Sequence, residues 1–438
     1  MWYPFDESRL GDRDLLFRLQ VTLKADDEEM ASQAAGGRAL PPWSWSTVQI
    51  HAHCSNVSGT VDMPLRPEIA RFFSTLPFVV IEKTQGLASA PTNREAGRKQ
   101  IAAAAQIKRF NASAIVLAYY QTDWVRRWFD SGLWFAQHSQ YCLRNSSGSL
   151  IVGKAPDLDL VYDYSEHQAQ WMWAKSLASM SNVDGWFIDG PFSISAGQPF
   201  GRGPFAGVNA SAATAWTCGL QQTLALLRNL SGPDAMIVRE HDPHTQCDQC
   251  TGLMQQGWCK SVTGNDGILH CINDLMQAPP RRFHEINCGH CGRPSDQNIS
   301  LAIFLLGVRE RMYFGHDSWS DCEVPFQLHF VEELSFPLGT PLGNFTVSNV
   351  RYTFTDPCTT DILLHNFLLN CAHCSGGDKV YSRRFDGSGQ GRQTVVTVRT
   401  AGSAAEVGAS GGGTSSFSSV KSACIDWANG VVTGVGCV

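Results

Sequence analysis

Short apolar runs recur along the first three quarters of this chain. Each ends in a polar or acidic residue, and helical spacing follows most of them. Strands are expected at 48–53, 78–83, 113–120, 158–164, 183–191, 235–240, 282–287 and 311–316. Helices are expected at 67–76, 94–109, from 121, and at 166–181, 211–230 and 300–310. The strand runs are continuous rather than alternating, which suits strands buried on both faces of a parallel sheet. Eight such strands interleaved with helices predict a (β/α)8 TIM barrel. An open doubly wound sheet is the rival; the regularity of the units favours closure.

The stretch Val183-Asp-Gly-Trp-Phe-Ile-Asp-Gly-Pro191 is the sharpest of these units. Trp186, Phe187 and Ile188 lie between two Asp-Gly turns, so Asp189 falls at the carboxyl end of a buried strand. In α/β proteins that end carries the chemistry. The same end of the other strands holds His53, Glu82, Tyr120, Asp163, Glu240, Glu285 and, just beyond the last, Asp317.

Three regions are expected. Residues 1–44 read as a poorly ordered extension. Residues 45–345 form the barrel, with a Cys-rich insertion at 243–275. Residues 346–438 form a small β-rich appendage, with strands at 350–354, 379–385 and 394–400 and a flexible Gly/Ser-rich segment at 401–423.

Charge and hydropathy narrow the partners. The formal net charge is -6 and the basic residues are scattered, unlike a nucleic-acid footprint or a membrane patch. The longest apolar run, Leu301 to Val308, falls well short of the roughly 20 residues a membrane helix needs. Fifteen cysteines and seven glycosylation sequons, at Asn56, Asn111, Asn145, Asn209, Asn229, Asn298 and Asn344, point to secretion or an endomembrane lumen. The first residues show no signal-peptide core. An odd cysteine count leaves at least one thiol free or paired between chains. Cys247 with Cys250, Cys288 with Cys291, and Cys371 with Cys374 have the spacing of a thiolate zinc site. Disulfides are the preferred reading in an oxidising compartment, and no metal or cofactor is expected.

Several segments together resemble a known group. They are Trp134 to Gly148; Tyr162-Asp-Tyr-Ser followed by Val183-Asp-Gly-Trp-Phe-Ile-Asp-Gly; Tyr313-Phe-Gly-His-Asp-Ser-Trp319; and Pro337-Leu-Gly-Thr-Pro-Leu-Gly343 with Tyr381-Ser-Arg-Arg-Phe-Asp-Gly387. In this order they are similar to the hypothetical glycoside-hydrolase-like TIM-barrel families, in which a barrel carries a small C-terminal β appendage. The resemblance implies cleavage of a glycosidic bond in an oligo- or polysaccharide. It also departs from the pattern in the Cys-rich insertion and the long tail.

Glycoside cleavage needs two carboxyl groups. Asp189 resembles the nucleophile of several retaining α-glycosidase clans, and Glu240, on the next strand expected, is its natural acid/base partner. Each also has a structural alternative: Asp189 as a turn residue before Gly190-Pro191, and Glu240 displaced by Asp242. Asp163 suits a helix start or a sugar hydroxyl, and Glu82-Lys83 a sugar contact or a rim ion pair. Glu285 and Asp317 are reserve acids. His53, Tyr120, His241, His316 and Trp319 are candidates for hydroxyl contacts or ring stacking. Two other functions remain open: a carbohydrate-binding barrel without catalysis, and a disulfide- or zinc-stabilised hydrolase of another class.

Overall fold

The computed structural model describes residues 40–86, 95–126, 129–152, 160–194, 199–200, 203–204, 207–240, 247–256, 258–259, 264–278, 282–287, 294–315, 338–349, 379–386, 393–400, 420–426, 432–435 and 437. The chain divides into Met1–Ala39 and Leu40–Val438, and all of these residues lie in the second unit. Most of the expected N-terminal extension is therefore outside the described residues.

Eight strands pair in parallel in chain order: β1 (Ala52–Cys54), β2 (Val79–Ile81), β3 (Val116–Gln121), β4 (Gly185–Asp189), β5 (Met236–Glu240), β6 (Gly252–Gln256), β7 (Phe283–Asn287) and β8 (Met312–Gly315). A parallel bridge between Ile50 and Phe314 returns β8 to the chain entering β1, supported by bonds from the Phe314 amide to Gln49 O (2.8 Å) and from the His51 amide to Phe314 O (3.2 Å). The sheet is thus nearly closed as a barrel. Helices α1 (Pro67–Phe73), α2 (Ala96–Phe110), α3 (Asp130–Gln137), α4 (His167–Ala178), α5 (Ala210–Ser231), α6 (Gly264–Gln277) and α7 (Pro294–Gly307) lie between the strands. No helix among the described residues is long and apolar enough to cross a membrane.

The strand count holds, but two strand positions differ from expectation. Residues 158–164 do not supply a barrel strand. Leu160–Val161 pairs antiparallel with Trp124–Val125 in a small ribbon, part of an excursion between β3 and α4. The helix expected from 121 starts at Asp130 instead. The missing strand is β6, inside the expected Cys-rich insertion. It is bracketed by the Cys247–Cys250 and Cys259–Cys271 disulfides. Its Gly252-Leu-Met-Gln-Gln sequence has little strand propensity, and its place is fixed by parallel pairing with β5 and β7. The Cys247–Cys250 disulfide also removes that pair from a zinc site. Cys288, Cys291, Cys371 and Cys374 lie outside the described residues. A third disulfide joins Cys424 to Cys437, and Cys142 and Cys218 are free.

Alternation along each strand sorts the side chains. Val80, Leu117, Tyr119, Phe187, Met236, Val238, Met254, Phe283 and Tyr313 form the apolar barrel interior with Phe78. Their outward neighbours pack on the helices. Gly185 is required where β4 meets β5, because a Cβ there would lie 2.0 Å from Met236 O.

The C-terminal residues form a five-stranded antiparallel sheet of β9 (Thr346–Asn349), β10 (Lys379–Phe385), β11 (Thr394–Thr400), β12 (Val420–Asp426) and β13 (Val432–Val435). β10 and β11 coincide with expectation. The strand expected at 350–354 lies outside the described residues, and β12 begins within the segment expected to be flexible. Tyr381, Phe385, Val396, Val398, Ala423 and Ile425 alternate onto one buried face, in one core cluster with Leu301 to Leu306 of α7. This explains why α7 is apolar all round: barrel strands cover one side and this sheet the other.

Arg383 fastens the two layers. Its guanidinium, 8% exposed, donates to Leu305 O, Leu306 O and Val308 O at 3.2, 3.1 and 2.8 Å. Those carbonyls at the end of α7 have no intrahelical partner. Burial lowers the Arg383 pKa to about 10, and the negative end of the helix dipole opposes that loss. Replacing Arg383 with Met should cost roughly 2–4 kcal/mol, since three buried carbonyls lose a charged donor. Urea unfolding of the full chain should show it as a lowered midpoint, and an unchanged midpoint would refute the role.

Candidate active site

The apolar barrel interior gives way to polar groups at the carboxyl ends of its strands. Asp189 ends β4, next to Gln121 of β3 in the ladder. The turn after it needs Gly190, whose φ is 97°. Asp189 Oδ1 accepts a 2.7 Å bond from the Gly190 amide. Its Oδ2 accepts from the Tyr119 hydroxyl and, at 3.4 Å, from Gln121 Nε2. Burial alone would raise the Asp189 pKa, yet it is lowered. The Lys83 ammonium outweighs burial, together with hydrogen bonds from Tyr119, Glu240 and Gln121.

Glu240 ends β5 beside Asp189, as continuation of the Phe187–Val238 register requires. Its carboxyl is among the groups that hold the Asp189 pKa down.

Lys83 projects after β2. Its Nζ lies 4.0 Å from the centre of the Tyr119 ring and 3.3 Å from Glu82 Oε2. Glu82 in turn accepts from His53 Nε2 at 3.1 Å, while His53 Nδ1 is 2.5 Å from Glu285 Oε1. Burial disfavours the imidazolium of His53, but Glu285 and Glu82 overcome this and raise its pKa to about 10. In Glu82 the Lys83 charge and the His53 bond outweigh burial and hold the carboxyl below its usual range. His51, stacked on Phe78 at 5.1 Å, goes the other way: burial lowers its pKa to about 4. Alternating charges thus run from Glu285 through His53, Glu82 and Lys83 to Asp189.

The expected site residues that the structure describes fall into three groups. Asp189, Glu240 and Lys83 meet at the strand ends. His53, Glu82 and Glu285 meet just below, at 0%, 1% and 0% exposure. The roles expected for them are sugar contacts and, for Glu285, reserve acid; in this structure the three side chains bond one another and are closed to solvent. Glu285 is the middle residue of β7, not its end. Glu82 and Lys83 form the ion pair that was the alternative to a sugar contact. Tyr120 points outward between β3 and the helices, against Phe129 and Trp173, with its hydroxyl bonded to Ser131. Asp163 lies in the excursion, where its Oδ1 accepts from Ser165 N (3.1 Å) and Oγ (2.6 Å) just before α4. His241, Asp242, His316, Asp317 and Trp319 are outside the described residues.

Three residues at this site went unread in the sequence: Tyr119, Gln121 and Asp123. Counting by twos from Leu117 selects Tyr119 and Gln121 for the interior in place of Tyr120. Asp123, 7% exposed, follows directly, and its Oδ1 accepts a 2.8 Å bond from the Trp124 amide.

A sequence profile of hypothetical glycosyl hydrolase family 15 matches residues 108–355, more than half of the chain. No curated protein matches by sequence. Among solved structures the chain is similar to a noncanonic maltogenic alpha-amylase from Thermotoga neapolitana, at 11% identity and TM-score 0.44 over 80% of this chain and 85% of that one. It is also similar to a xylosidase from Aspergillus niger, at 12% and 0.43 over 66% and 47%. An alpha-galactosidase from Geobacillus stearothermophilus matches at 10% and 0.44 over 83% and 48%. The chain spans about half the length of the latter two.

Proposed function

Since the chain belongs to hypothetical glycosyl hydrolase family 15, we propose that it hydrolyses glycosidic bonds in an oligo- or polysaccharide, with retention of anomeric configuration. The reading rests on one observation: Asp189 and Glu240 end neighbouring parallel strands in register, so their carboxyls share the same end of the barrel. Retaining enzymes hold their carboxyls about 5–5.5 Å apart, and inverting enzymes about 6.5–9.5 Å. Register partners at the ends of neighbouring strands, about 4.8 Å apart, favour the first geometry.

In the mechanism, Glu240 serves as the general acid and donates its proton to the glycosidic oxygen. Asp189 attacks the anomeric carbon, the carbon–oxygen bond breaks, and the leaving oxygen takes that proton. Water then gives a proton back to Glu240 and attacks the same carbon, releasing Asp189 as a carboxylate. Lys83, Tyr119 and Gln121 keep Asp189 ionised and aimed. No cofactor takes part.

Residues 45–345 carry this activity in the proposal, and 346–438 are the appendage. The disulfides among the described residues fit secretion or an endomembrane lumen as its location. The test is a panel of α- and β-linked glycosides followed by proton NMR of the first-formed product. Retention is expected. Inversion would overturn the double displacement, and binding without turnover would point to the non-catalytic barrel.

A further inference from the structure

Asp123 has no role in that mechanism, yet its position is keyed to Asp189. The neighbouring Thr122 donates from its amide to Asp189 O at 2.9 Å and from its hydroxyl to Pro191 O at 2.8 Å. These bonds clip the chain leaving β3 to the turn leaving β4. A methyl group on Gly190 would meet Asp123 Oδ1 at 3.1 Å and Thr122 Oγ1 at 2.7 Å, so the Asp123 carboxyl lies directly against the Asp189-Gly190 turn. On its other side the Tyr162 amide donates to Asp123 O at 3.1 Å.

We propose that Asp123 is a third functional carboxyl of this site, a positioning residue whose proton is exchanged against the charge on Asp189. The inference rests on the reading of Asp189 as nucleophile. The titratable groups around Asp123 are Asp189 from β4, Tyr119 from β3, Arg126 from its own segment, and Tyr162 and Tyr164 from the segment before α4. Burial holds the three phenols neutral. Asp189 is therefore the anion among them. Two buried carboxyls so placed do not ionise together easily. Asp189 has Lys83 and three hydrogen bonds on its side, so Asp123 holds the proton. Burial first, and the Asp189 charge second, push it up to about 7, against the opposing pull of the Trp124 amide and Arg126.

The coupling has a chemical consequence. When Asp189 becomes the ester of a bound sugar its charge disappears, and Asp123 gives up its proton to solvent. When water cleaves the ester, the charge returns and Asp123 takes a proton back. Before the first step, an ionised Asp123 adds a second negative charge beside the ring as that ring becomes cationic. Thus kcat/KM should rise as Asp123 loses its proton.

The test is aspartate-selective carbon-13 NMR on the full chain, paired with pH–rate profiles. One carboxyl should titrate near pH 7 in the wild type, vanish in Asp123→Asn, and move down by about one pH unit or more in Asp189→Asn. On a 4-nitrophenyl glycoside that the wild type cleaves, the rise in kcat/KM near pH 7 should disappear in Asp123→Asn and return in Asp123→Glu. A titration indifferent to Asp189→Asn, or no carboxyl titrating between about pH 6 and 8, overturns the proposal. If no glycoside is cleaved, the hydrolase reading fails, while the NMR titration still decides whether the two carboxyls are coupled.

Discussion

Asp189→Asn should reduce turnover by at least about 10³-fold, and Glu240→Gln by about 10²–10⁴-fold, with sugar binding kept in both. The two losses should differ in kind. An amide at 189 can neither attack nor carry a negative charge, so every leaving group suffers. An amide at 240 cannot supply a proton, so alkyl glycosides suffer most, and 4-nitrophenyl glycosides, whose leaving oxygen needs little help, suffer least. Azide should partly restore turnover in Glu240→Gln, because an anionic nucleophile needs no general base to cleave the glycosyl ester. Steady-state rates on both substrate types, with and without azide, provide the check. Equal losses on both types would remove Glu240 from the acid role, and unchanged rates in both variants would end the assignment altogether.

Glu285→Gln should destabilise the fold by about 3–5 kcal/mol at neutral pH, the cost of breaking a buried ion pair from one side. His53, Glu82 and Glu285 are essentially sealed from water. Without the Glu285 charge, the imidazolium keeps Glu82 as its buried anionic partner among the described residues. The pH dependence carries the sign. The His53 pKa is about 10 in the folded chain against an ordinary 6.5, so the folded state binds the proton more tightly. The stability this confers is complete below pH 6.5 and is lost progressively as pH rises through about 10. His51 acts in a different window. With a folded pKa near 4, it makes stability rise between pH 4 and 6.5. Unfolding midpoints should therefore fall from neutral toward pH 10 in the wild type and fall much less in Glu285→Gln. Parallel curves for the two proteins would refute the His53–Glu285 pairing.

The barrel could be read from the sequence because parallel strands buried on both faces leave continuous apolar runs, such as Trp186-Phe187-Ile188. β6 escaped because most of its five residues are Gly, Met and Gln, and pairing with its neighbours, not propensity, makes it a strand. Leu160 and Val161 misled for the converse reason: they are apolar and buried, but under an excursion. Asp189 and Glu240 were visible because each ends its run. Tyr119 was hidden beside Tyr120, since composition does not distinguish the two rings and only the phase of the strand does. Glu285 is grouped with the strand ends although the strand expected at 282–287 already sets it two residues inside, and in β7 it is the middle residue. Asp123 left no local signal, as its significance lies in a turn that begins 66 residues later at Asp189.

The double-sided burial of α7 bears on the order in which the protein can be made. One flank of the helix can rest on the barrel as soon as β7 and β8 are in place. The other flank waits for β10 to β12, the last of which ends at Asp426, 119 residues after the end of α7 at Gly307. During synthesis, Leu301 to Leu306 emerge long before their cover, and Arg383 reaches the bare carbonyls later still. A ribosome that stops short of β12 releases a chain with its barrel strands complete and an open apolar seam. Such a product is a natural client for chaperones and proteases.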